Sequence, residues 1–136
     1  MNRRQRTFFS AQSMVEFALV GPLFFLMLIG TIEMGRLMWT SHELSNGARE
    51  GARWASVRGE RSGENITDGQ VEVVILERTS ALNDSLQVNV TWSETNREPG
   101  SKVTVATSYD YVPMVGGFLG IGTITLERQS ELTIHY

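Results

Sequence analysis

Residues 17–32 read FALVGPLFFLMLIGTI, sixteen positions without a charge. As a helix it spans about 24 Å, short of the roughly 30 Å of a bilayer core. Extending it to Met14 and Met34 gives about 32 Å and sets Glu16 and Glu33 near the two membrane interfaces, where a carboxylate costs far less than at the centre. Residues 12–34 are therefore expected to cross a membrane. Pro22 removes one backbone hydrogen bond within the run, a defect that membrane helices tolerate.

Charge gives the span a direction. Arg3, Arg4 and Arg6 precede it with no acid among them, and the whole chain is at −3, so the remainder carries −6. By the positive-inside rule the basic leader, residues 1–11, stays cytoplasmic and the C-terminal part lies outside, in the periplasm or beyond the cell. This distribution favours anchoring to membrane lipid and argues against nucleic acid as a partner. The rival reading, a cleaved secretory signal, fits the n-region but finds no A-x-A site after the apolar stretch.

Beyond the span, residues 35–58 contain no proline, and Leu37, Leu44, Ala48, Ala52 and Ala55 recur at helical spacing. The helix is expected to leave the membrane and run to about Val57. Gly47 and Gly51 form a G-x-x-x-G that Ala48, Ala52 and Ala55 extend into a small-residue stripe. Such a stripe receives either the protein's own sheet or the backbone of a neighbouring subunit, and the residues alone leave both open. Arg49, Glu50 and Arg53 read as a solvated face.

The remaining residues, 59–136, read as a small α+β head. A polar, glycine-rich loop leads to Thr67 and Gln70, which could cap a second helix with Val71, Val74, Ile75 and Leu82 on one face, ending near Asn83. Alternation then marks three strands, through Leu86–Trp92, Val103–Tyr111 and Ile124–Ile134. The fold expected is a long N-terminal transmembrane helix continuing into a head in which the second helix packs on a three-stranded antiparallel sheet.

TNREPG joins the first two strands as a hairpin loop. The second connection, PMVGGFLGIG, is apolar where loops are usually polar. Met114, Val115, Phe118, Leu119 and Ile121 either fold over one end of the sheet as a core flap or form a docking surface for a partner subunit or lipid.

Catalytic chemistry finds little support. There is no cysteine; His42 and His135 lie in different elements without ligand spacing; and no Walker loop, dinucleotide fingerprint or G-x-S-x-G elbow is present. No metal or cofactor is called for, and an enzyme is not expected. Asn65, Asn83 and Asn89 begin N-x-[ST] triplets of the kind that arise by chance.

Glu16 has two local readings. With Ser13 it forms an S-x-x-E capping box at the start of the membrane helix. Alternatively, cleavage a few residues upstream creates an α-ammonium that the carboxylate of a neighbouring copy neutralises when helices bundle.

The stretch AQSMVEFALVGPLFFLMLIGTIEMGRLMW, followed by NGAREGARWAS, resembles the TadE-like family, minor pseudopilins of tight-adherence (Flp, type IVb) pilus systems. The later YDYVP, the glycine-rich connection and ITLERQSEL resemble that family's C-terminal half. The resemblance implies an aspartyl prepilin peptidase that cuts between Ala11 and Gln12, making Glu16 the fifth residue of the mature chain. Glycine is usual before the cut, and Ala11 stands there in this chain.

It also implies other pilins or pseudopilins and an inner-membrane assembly platform as partners, with Glu16 as the assembly contact. The head would sit at a pilus tip or initiation complex. An uncleaved single-pass scaffold of the same machinery, or a membrane-anchored surface adhesin, are the alternative roles.

Overall fold

A computed structural model describes residues 3–59, 63, 66–82, 85–94 and 97–135, with the side chains of residues 3–11 and of Phe118 outside that description. It divides into two compact units, Met1–Arg36 and Leu37–Tyr136. One helix, α1 (Arg3–Ser56), contributes to both, and Pro22 lies inside it.

α1 begins well upstream of the apolar run, so in the uncleaved chain Ser13 and Glu16 do not cap a helix start. With the helix already formed from Arg3, the amides of residues 13–16 are interior groups, not the unsatisfied donors of a helix start. Between Arg6 and Ser13 the sequence has neither glycine nor proline to stop a helix.

In the second unit α2 (Asp68–Arg78) starts as expected. Gln70 Oε1 accepts from the Thr67 backbone N–H at 2.8 Å, and Asp68 supplies negative charge to the first turn. Its end differs. The α-helix stops at Arg78, where the Thr79 backbone N–H and hydroxyl both donate to the Ile75 carbonyl, at 2.9 and 2.7 Å. A 3₁₀ turn (Ser80–Leu82) then carries Leu82 into the core, and Asn83, the expected end, lies outside the described residues.

The sheet is antiparallel in the order β1 (Leu86–Trp92), β2 (Lys102–Tyr111), β3 (Ile124–Thr133). Register pairs Val88 with Thr107 and Val90 with Val105 on one side, and Val105 with Ser130 and Tyr109 with Leu126 on the other. Residues directly opposite share a face, so Val103, Val105 and Thr107 of the central strand lie inside while Lys102, Thr104 and Ala106 point away. The molecule is thus α+β, a long apolar helix with a second helix and a three-stranded antiparallel sheet.

Two hydrophobic clusters hold the second unit. Ala48, Ala52, Ala55, Val71, Ile75, Val103, Val105 and Ile134 form the larger, with Ile66. Leu44, Leu82, Tyr111 and Leu126 form the smaller, against which Leu37 and Ile124 pack. Buried Thr107 lies where the sheet meets α1, its hydroxyl within hydrogen-bond reach of the Leu44 and Arg128 carbonyls at 3.3 and 3.2 Å. At the far end the His135 backbone N–H donates to the Ser56 carbonyl at 3.1 Å.

Candidate functional site

Three groups of residues carry the functional expectations. The first is the apolar part of α1. Its side chains stand exposed from Met14 to Ile32, with Phe17, Leu23, Phe24 and Phe25 among the largest. A helix apolar all round and exposed within its own chain requires lipid or other helices around it. By length and composition this helix can cross a membrane.

Near its start Gln12 and Glu16 are one turn apart, and Gln12 Nε2 donates to Glu16 Oε1 at 3.2 Å. That contact supplies a neutral amide to a carboxylate. Among the described residues no cation pairs with Glu16. The side chain of Ala11, the other residue of the expected cut, lies outside the described set.

The second group is the stripe. Ala48, Ala52 and Ala55 are fully buried. A Cβ built on Gly47 would stand 2.7 Å from Thr79 Cγ2; one on Gly51 would stand 2.6 Å from both Cγ1 and Cδ1 of Ile75. The two glycines are where α2 comes closest, and the alanines share a cluster with the sheet residues Val103, Val105 and Ile134. The face is filled from within the chain, by α2 as well as by the sheet that one sequence reading placed there.

Beside the stripe, Glu50 joins the two helices. Arg53 chelates its carboxylate through Nη2 at 2.8 Å and Nε at 3.1 Å, and Arg78 of α2 stands 3.8 Å away. The hydrogen bonds from Arg53 hold the Glu50 carboxyl below its usual range, against partial desolvation, with the charges of Arg53 and Arg78 acting in the same direction as those bonds.

A depressed carboxylate stabilises the fold above the ordinary carboxylate range and loses that contribution as pH falls through the folded value. Glu50→Gln is expected to lower the denaturant midpoint slightly at pH 7 and by less at pH 3. An equal loss at both pH values would mean that packing, not charge, is what the substitution removes.

The third group is the β2–β3 connection, which contains the short helix α3 (Gly116–Leu119). Met114, Leu119 and Ile121 are exposed, as is Val112, so the flap expectation is corrected for these side chains. Among the described residues here, Pro113 and Gly116 are buried and Val115 is half-buried. The backbone folds on itself instead: the Leu119 N–H donates to the Val115 carbonyl and the Ile121 N–H to that of Gly116, both at 2.9 Å. A Cβ on Gly116 would meet the Ile121 carbonyl oxygen at 2.5 Å, so the turn requires glycine there.

Sequence reasoning missed a fourth arrangement. Arg97 lies over the Trp92 ring at 4.3 Å, donates to the Ile66 carbonyl and stands 3.7 Å from Asp68, which accepts from Trp92 Nε1 at 2.8 Å. These contacts tie the β1–β2 connection to the start of α2. The only hint was an arginine in a turn whose neighbours could not be assigned from the sequence. The solvent face of the sheet also holds an open groove of about 700 Å³, bordered by Gln87, Asn89, Ser108, Glu127 and Gln129. His42 and His135 are both exposed and far apart in sequence, on α1 and beyond β3.

Residues 11–53 match the family model described as TadE-like protein. No curated protein and no solved structure matches the chain. The matched segment takes in the Ala11–Gln12 pair, Glu16, the whole apolar run, Gly47 and Gly51.

Proposed function

We propose that this chain, TadE-like over residues 11–53, is a minor pseudopilin taking part in initiation or assembly of a tight-adherence pilus. The TadE-like family is one of pilus-associated structural components, so the match over residues 11–53 supports a part in that machinery and favours packing over catalysis as its work. The observation that carries the finer reading is the outward-facing apolar helix with Glu16 near its start, where among the described residues a neutral amide and no cation stands beside it.

In this reading a prepilin peptidase cuts between Ala11 and Gln12. The mature helix waits in the bacterial inner membrane with its head outside, and is then drawn into a bundle of pilin helices on the assembly platform. Removing water from Glu16 in such a bundle leaves a charge that must find an opposite charge, and the new α-ammonium of Gln12 on a neighbouring copy is that charge. The carboxylate selects the axial register at which helices meet, because one residue of slip moves it about 1.5 Å from its partner.

Intact-mass measurement of the membrane-extracted protein tests the reading. Loss of residues 1–11, with Gln12 as the new N-terminus, is the expected result. A full-length mass from cells that build pili would overturn the pseudopilin role and leave an uncleaved scaffold.

A further inference from the structure

Residues 112–122 contain no charge, and the exposed fractions of Met114 (73 %), Val112 (66 %), Ile121 (46 %) and Leu119 (45 %) make this connection a run of exposed apolar side chains on the head. Its place in the second unit follows from the way β2 runs against α1. Val103, near the start of β2, clusters with Ala48, Ala52 and Ala55; Thr107 reaches the Leu44 carbonyl; and Tyr111, at the strand's end, belongs to the cluster on which Leu37 packs.

Four residues of strand from Thr107 advance about 13 Å, and seven residues of helix back from Leu44 about 10 Å, so β2 ends level with Leu37. The connection emerges there. Leu37 stands three residues after Met34, where the apolar run of the sequence ends.

We propose that residues 112–122 are a second membrane contact, dipping into the lipid surface from which α1 emerges. The inference rests on α1 being the anchor, as proposed above. Met38 and Trp39 are exposed at the same end of the unit, and tryptophan favours the lipid headgroup level. Trp39 is six residues past Glu33, about 9 Å of helix, comparable with a headgroup zone of roughly 5–8 Å on each side of the hydrocarbon. The connection's backbone is also suited to a dry environment, since the N–H groups of Gly116, Leu119 and Ile121 all donate within it. A protein partner would call for charge or a hydrogen-bonding rim to fix its orientation, and the projection supplies neither.

The absence of cysteine allows single labels. Full-length Met114→Cys and Leu119→Cys, each carrying an environment-sensitive fluorophore, are reconstituted alone into phosphatidylcholine vesicles, with Glu94→Cys on the β1–β2 connection as reference. Nitroxide borne on the lipid headgroup should quench positions 114 and 119 at least about threefold more than position 94, and aqueous iodide should show the reverse order.

Equal iodide quenching at all three sites in a chain that resists carbonate extraction overturns the membrane contact and leaves the anchor standing. A chain extracted by carbonate overturns both. Protection that rises with protein-to-lipid ratio, or that appears only on adding other pilus proteins, also overturns it, because the cover is then protein.

Discussion

Gly51→Leu is expected to destabilise the second unit by about 2–3 kcal/mol, while Gly30→Leu leaves its stability unchanged. The Cβ at position 51 meets two carbons of a fully buried Ile75, whereas nothing lies within 4 Å of one at position 30. Cδ1 of Ile75 can rotate away, but Cγ1 is held close to the α2 backbone, so α2 must move. For a unit of about this size the loss corresponds to a thermal midpoint roughly 10–20 °C lower, read by near-ultraviolet circular dichroism of the full chain in detergent.

Gly51→Ala is the instructive milder case. A helix interior gains about 1 kcal/mol from glycine to alanine, and the contact with Ile75 opposes it, so the net change is small. Pairing Gly51→Leu with Ile75→Ala should recover at least about 1 kcal/mol relative to the sum of the single changes. Additive effects would mean that the two residues do not press on one another. An unchanged midpoint in Gly51→Leu with loss of co-assembly would instead assign the stripe to a neighbouring subunit.

The stripe illustrates what a sequence can and cannot specify. Glycine and alanine at a four-residue spacing announce that something comes close, but not what. The answer lies in matching side chains: Val71 and Ile75 of α2 and Thr79 at its C-cap follow each other at the same spacing, and their branched carbons need the room that two glycines leave. The three strands were more legible, because alternation directly gives the buried face; Val103, Val105 and Thr107 all point where their period places them. The end of α2 was not, since Arg78-Thr79-Ser80 contains no glycine or proline and the stop comes from Thr79 folding back on Ile75.

The apolar helix was legible because length and absence of charge are properties of a single segment. The connection after β2 was half legible. Its composition marked it as unusual, yet composition is the same for a flap and for a projection. The difference is made by Gly116, which lets the chain double back on the Ile121 carbonyl and so turns Met114 and Ile121 outward. Phe118, grouped with them in sequence, has its side chain outside the described residues.

Glu16→Gln should leave membrane insertion intact and reduce pilus assembly at least about tenfold, the effect of losing one charge-assisted contact worth roughly 1.5–3 kcal/mol. Insertion depends on the uncharged residues 17–32, and replacing a carboxylate at their edge with an amide lowers the cost of crossing. Assembly, in the proposed reading, depends on the charge. The glutamine keeps the size and the hydrogen-bonding reach of the side chain but cannot neutralise an ammonium.

Two further variants separate this from local effects on the helix. Gln12→Leu removes the 3.2 Å amide contact while keeping the backbone amine, and Ser13→Ala removes the other half of the capping box that cleavage before Gln12 would restore by making Ser13 a first-turn residue. In the proposed reading both should assemble close to normally once cleaved, since the contact uses the α-nitrogen of Gln12 and the carboxylate of Glu16, and loss of a cap alone is the smaller effect. Carbonate-resistant membrane fractions measure insertion, and sheared surface filaments measure assembly. Normal filament yield from Glu16→Gln would refute the counter-charge role, and parallel losses in all three variants would point to a damaged helix instead of a missing charge.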